Sequence, residues 1–211
     1  MNTIEVAIQM KTFKEEAKLN KFLLIFRNSS TYDDYQKYYW TKHKSMIRLT
    51  AIIGTLIWVY FTLSIGETVL TTTTFSPLQL SKILYTFFII MSILLSRARF
   101  YYKIFSYHIS IAITVGACIV MWMEKESIHS SDFYYLYNMA IRIMFYTASA
   151  LRVLFLPQLL STITIMLIHC ALFPSLFYII RVILCGLAAI LGSYVLNYFA
   201  VNNFVLVKLS T

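Results

Sequence analysis

The chain has 211 residues, 59% of them hydrophobic and only 13% charged, with a mean hydropathy of +0.70. A soluble domain of that length cannot hide so much apolar surface, which excludes an ordinary soluble fold and points to a helical membrane protein of several spans. The net charge of +9 would suggest nucleic acid in a soluble protein, but half of the cations flank the first apolar run, so an anionic inner-leaflet bilayer surface is the expected partner and nucleic acid is not.

Residues 1–45 read as a basic and aromatic cytoplasmic segment. It has no signal-peptide form, since the apolar FLLIF at residues 22–26 is too short for an h-region and no small-residue cleavage site follows it. Lys11, Lys14, Lys18, Lys21, Arg27, Lys37, Lys42, Lys44 and Arg48 precede the first span and only Glu5, Glu15, Glu16, Asp33 and Asp34 oppose them. The positive-inside bias then holds the N-terminus in the cytosol.

From Thr31 to Ile65 no Pro or Gly interrupts the chain before Gly54, which predicts one helix that starts in water and ends across a bilayer. Thr31 and Asp34 have the spacing of a capping box at its start. At 1.5 Å per residue the helix would be roughly 50 Å long, more than a ~30 Å hydrocarbon slab needs. Tyr38, Tyr39 and Trp40, with Lys42, Lys44 and Arg48, fall at the junction and are expected to anchor the membrane surface, each ring half wet.

The expected transmembrane domain covers residues 46–199. GETVLTTTTFSPLQLSK, with Glu67 and Pro77, reads as an exposed loop, and residues 83–95 as a short second span. Arg97, Arg99 and Lys103 mark a cytoplasmic turn. The third span, 104–123, contains Gly116, Ala117 and Cys118, small residues that permit close helix contact. EKESIHSSD reads as an outer loop, and the fourth span, 133–151, carries Arg142 near its middle. Pro157 sits in the first turn of the fifth span, where its missing N–H costs nothing. Pro174 makes a tight outer turn, and the sixth span, 176–199, holds Arg181, Gly186, Gly192 and Asn197. Residues 200–211 read as a short cytoplasmic tail. Cations fall on alternate loops, so the fold expected is all-α, a polytopic bundle of six transmembrane helices with both termini cytoplasmic.

Few residues could carry chemistry. No Ser-His-Asp set, metal-ligand spacing or phosphate loop is present, and nothing calls for a cofactor. Cys118, Cys170 and Cys185 lie in apolar runs and read as small buried hydrophobes. Arg142 is an intramembrane cation without an acid at its depth, and either serves a function or snorkels. His169, near the outer end of the fifth span, could titrate or be hydrogen-bonded structure. A voltage sensor or an ion-coupled carrier finds little support, because Arg142 and Arg152 are ten residues apart and no midplane acid exists.

Three stretches, FLLIFRNSSTYDDYQKYYWTKHKSMIRLTAIIGTLIWVYFTL, LFLPQLLSTITIMLIHC and ILCGLAAILGSYVLNYF, together about 80 of the 211 residues, are similar to the six-span region ahead of the catalytic domain in membrane-bound class III adenylyl and guanylyl cyclases of protists and animals. The resemblance implies a homodimer in a plasma or ciliary membrane that transmits a state of its bundle to cytosolic domains, with Gly116, Ala117, Gly186 and Gly192 as candidate helix contacts. Where the family continues into an Arg-bearing signalling helix and a domain with two metal-binding Asp residues, this sequence has about a dozen residues after Phe199 with Lys208 their sole charge. No catalytic residue carries over, so the chain alone is expected not to be an enzyme. The alternatives are a small-solute channel or carrier subunit, with Asn138, Arg142, Gln158, Ser161, Thr162 and Asn197 forming a polar stripe, and a structural subunit of a membrane complex.

Overall fold

The computed structural model describes residues 3–64, 77–126 and 153–210. Within them lie helices α1 (Thr3–Glu16), α2 (Ser29–Ser64), α3 (Pro77–Leu95), α4 (Tyr101–Glu126), α5 (Phe155–Leu172) and α6 (Leu176–Ser210), and a hairpin of two short strands, β1 (Leu19–Asn20) and β2 (Ile25–Phe26). The fourth expected span, with Arg142 and Asn138, and most of the expected loops at 65–76 and 127–132 lie outside the described residues.

Residues 3–28 are structured in a way the sequence did not announce. Glu5 in the first turn and Lys14 in the last complement the dipole of α1. The helix stops at Lys18, whose φ of 51° leaves the helical region. β1 and β2 then pair antiparallel, Leu19 with Phe26 and Asn20 with Ile25. The Asn20 side chain closes their turn, its Oδ1 accepting from the amides of Phe22 and Leu23 at 3.0 Å each. Leu24 is left-handed at φ 54°, a conformation that costs a leucine on the order of 1–2 kcal/mol and is offset by burying its side chain.

The start of α2 corrects the sequence expectation. Asn28, not Thr31, caps it: Asn28 Oδ1 accepts from the Ser30 amide at 3.1 Å, the Ser30 hydroxyl at 2.8 Å and the Thr31 amide at 3.5 Å. Thr31 is already inside the helix, and Asp34 is engaged elsewhere. From Ser29 the helix runs unbroken for 36 residues, about 54 Å. Pro77, expected in a loop, opens α3 at the first helical position, where a proline removes no bonded N–H. Pro157 falls in the first turn of α5 as expected. α6 continues to Ser210, through the residues expected as the tail.

Hydrogen bonds give the directions. α3 and α4 run antiparallel, Tyr85 Oη donating to the Ala112 carbonyl at 2.7 Å. α4 and α5 are parallel neighbours, linked at Ser106–Leu154 and again at Ser110–Ser161. α6 returns antiparallel to α5, with Asn197 beside Val153 and Gly186 beside Met166. The core has two parts. At one end, here the near end, Phe26, Tyr35, Tyr39, Phe105, Phe155, Phe204 and their neighbours cluster; at the far end Tyr85, Ala117, Ile119, Met121 and Ile165 do. Tyr101–Ile119, Phe155–Leu172 and Ile179–Ser210 are long and apolar enough to cross a membrane.

Candidate functional site

The near end is an aromatic collar around the start of α2. Residues 35 and 39 are one helical turn apart, so both rings point to the same side. Tyr35 stands edge-on to Phe26 at 5.6 Å and to Phe204 at 5.3 Å, and Tyr39 meets Tyr35 at 5.9 Å and His43 at 4.7 Å. Trp40 leans on Phe105 at 5.0 Å and Tyr101 at 5.3 Å. These are edge and tilted pairs, each worth about 0.5–1.5 kcal/mol beyond the area it buries. Burial, with neighbouring Tyr39, Tyr32 and Tyr38, holds the Tyr35 phenol well above its ordinary range, so it stays neutral.

Ion pairs tie the collar's outer edge. Asp33 receives Lys103 of α4 at 3.1 Å and the Tyr102 hydroxyl at 3.1 Å, while Asp34 receives Lys208 of α6 at 2.7 Å. The Lys103 hydrogen bond is the main reason that the Asp33 carboxyl titrates below its ordinary value. Lys14 of α1 donates to Asn202 Oδ1 and lies over the Tyr198 ring.

A polar seam runs from the collar into the bundle between α4, α5 and α6. α5 begins without a side-chain cap of its own, and neighbouring helices supply what it lacks. Ser106 Oγ accepts from the Leu154 amide at 3.2 Å, and Asn197 Nδ2 donates to the Val153 carbonyl at 3.1 Å and the Ser193 carbonyl at 3.0 Å. Deeper in, Thr114 Oγ1 and Ser161 Oγ lie 2.7 Å apart and both reach the Ser110 carbonyl, at 2.8 and 3.2 Å. Gln158 and Thr162 are buried alongside.

The structure places the sequence candidates as follows. Tyr39 is 1% exposed, buried in the collar rather than half wet, while Tyr38 and Trp40 are half-buried. Lys42 donates to the Tyr38 hydroxyl, Lys44 is exposed, and Arg48 Nη2 donates to the Ser96 carbonyl at 2.8 Å with its guanidinium over Trp40. Gly116 and Ala117 are buried within α4, and a Cβ at Gly186 would strike Met166, so these three serve contacts inside the chain. Gly192 differs: it is exposed, and among the described residues nothing outside its own helical backbone lies within 4 Å of where its Cβ would stand. His169 is buried against Phe173 at 5.0 Å, and its Nδ1 has no partner among the described residues.

Of the six stripe residues, Gln158, Ser161, Thr162 and Asn197 share the seam, and Arg142 and Asn138 lie outside the described residues. Ser106, Ser110, Ser193 and both ion pairs were missed, although Ser106, Ser110 and Thr114 recur every fourth residue, a helical stripe readable in the sequence. No group of three or more His, Cys, Asp or Glu side chains that could hold a metal occurs among the described residues. No protein-family model, curated protein or solved structure matches the chain.

Proposed function

We propose that this chain is an integral membrane module of six spans with both termini cytosolic, which anchors and dimerises in the bilayer and transmits the state of its bundle through the near-end collar, without catalysis of its own. The observation that carries this reading is α2: one unbroken helix whose first half is clamped by α4 and α6 and whose second half is apolar. Displacing α4 or α6 relative to α2 must strain the two ion pairs and the shared rings. A stiff rod held at one end converts a tilt in the bilayer into a displacement of the collar.

The placement of helix ends supports the count. The beginnings of α2, α4 and α5 and the end of α6 meet in the near-end core, and Arg48 holds the end of α3 there. α4 leaves that end and α5, its parallel neighbour, starts from it again, as an intervening fourth span requires. The likeness to the cyclase membrane region supports transmission as the role. Against a solute path, the described members of the polar stripe are buried, and Ser161 and Asn197 bond across helix interfaces, which is how polar groups hold membrane helices together.

Two measurements test the proposal. Single cysteines at Ser30 and Leu206 should react with an impermeant reagent from the cytosolic side and one at Ser175 from the other; labelling of Ser30 and Ser175 from one side overturns the topology. Two glycines inserted after Lys42 should break the rod, each costing about 1 kcal/mol in helix propensity. If oligomeric state and signalling output are then unchanged, transmission through α2 is wrong.

A further inference from the structure

The hairpin tip is tied to α6 at a depth where a bilayer would be. The Tyr194 hydroxyl donates to the Lys21 carbonyl at 3.0 Å, whereas Lys14, earlier in the chain, reaches Asn202. Those two anchor points on α6 are eight residues apart (202 − 194), or about 12 Å along the helix axis. The chain therefore dips toward the bundle's middle between α1 and the turn. Counted from Leu176 at the far end, Tyr194 stands about 27 Å along α6, close to the ~30 Å thickness of a hydrocarbon core. Tyr198 stacks on Tyr194 one turn later, the pair of rings expected at an interface.

At that depth the tip presents Phe22, 73% exposed, although Leu24 of the same turn is buried. An aromatic ring left facing water forgoes the gain of burial, and three exposed cations share the hairpin with it, Lys21 next to it in the turn and Lys18 and Arg27 facing each other at the base, where the Arg27 amide donates to the Lys18 carbonyl, none with a salt bridge to an acid among the described residues. We infer that the hairpin tip is a second membrane contact, with Phe22 wedged at the acyl–headgroup boundary and Lys18, Lys21 and Arg27 holding anionic headgroups. The apolar tip supplies depth and the cations supply selectivity for anionic lipid. The hairpin also carries Phe26 into the collar against Tyr35 and Phe204. Lipid charge at this face thus bears on the start of α2. The inference rests on reading α6 as a span.

The test uses the full chain in nanodiscs, with Cys118, Cys170 and Cys185 replaced by Ser and one spin label each at Phe22→Cys, Ser30→Cys and Leu191→Cys. Accessibility to oxygen and to a polar nickel chelate reports depth. The expected result is a label at 22 that favours oxygen several-fold over one at 30, more strongly in discs containing phosphatidylserine than in phosphatidylcholine alone, with the difference between lipids lost in the triple variant Lys18→Gln, Lys21→Gln, Arg27→Gln. If 191 is lipid-facing but 22 matches 30 in both lipids, the hairpin contact is refuted and the span reading stands. If 191 also matches 30, the span reading itself falls and the inference with it. A lipid-buried 22 indifferent to phosphatidylserine overturns the anionic selectivity.

Discussion

Phe204→Ala is the sharpest probe of the collar. The ring is 2% exposed and sits between Phe26 at 5.7 Å, Tyr35 at 5.3 Å and Tyr38 at 5.5 Å, so it joins the hairpin to α2. Truncating a buried phenylalanine costs about 3–5 kcal/mol, the lost transfer energy plus the cavity left behind. Tyr35 and Tyr39 can close little of that cavity, because each is fully buried and fixed by its own ring contacts. The far-end core shares no residue with this cluster, so the loss should fall on the collar alone. Local opening of 19–43 and 199–210 should then rise by roughly two to three and a half orders of magnitude, at 1.4 kcal/mol per tenfold. Hydrogen–deuterium exchange in nanodiscs reads this directly, with peptides from 160–172, which pack in the far-end core, as the internal reference. Phe199→Ala, at a ring 60% exposed on the same helix, should change exchange by no more than about 0.5 kcal/mol. If Phe204→Ala leaves 29–43 as protected as the parent chain, or if Phe199→Ala has the same effect, the collar does not hold α2 and the coupling argument fails.

Three further expectations follow from the same contacts. Gly186→Ala should destabilise the α5–α6 contact by about 1–3 kcal/mol, toward the lower end because Met166 is unbranched and can shift. Met166→Ala should restore it, and Gly192→Ala, unobstructed inside α6, should raise monomer stability by up to about 1 kcal/mol through helix propensity; unfolding in detergent checks all three. Asn197→Leu removes the donor to the Val153 carbonyl and should cost roughly 0.6–1.7 kcal/mol, the range of interhelical hydrogen bonds in bilayers; a neutral result would mean that the seam does not hold the start of α5. The Asp33 carboxyl is held below its ordinary value near 3.8, so the contribution of its pairing with Lys103 is complete above that value and is lost as pH falls through the lowered one. A carboxylate infrared band assigned by Asp33→Asn should persist below pH 3.8, and its loss above that value would refute the pairing.

Much of the helical framework is written in the sequence by itself. Long apolar runs can cross a bilayer only as helices, because each backbone polar group must be bonded within its own segment. Pro157 and Pro174 mark a helix start and a turn through backbone chemistry alone, and the continuity of α2 follows from the lack of breakers before Gly54. Tertiary structure alone decided the rest. Asn28 outcompetes Thr31 as the cap because a cap is a matter of local backbone geometry, for which several neighbouring residues compete. The hairpin is too short to leave a periodic pattern, and α6 runs past Phe199 because Val201, Phe204 and Val205 find a core contributed by α2 and β2. Tyr39 looked like a half-wet anchor for the same reason: hydropathy records the preference of a side chain, while burial depends on which distant rings arrive beside it. Local sequence declared the apolar helices, whereas the collar, the seam and the ion pairs of Asp33 and Asp34 exist only between helices far apart in the chain.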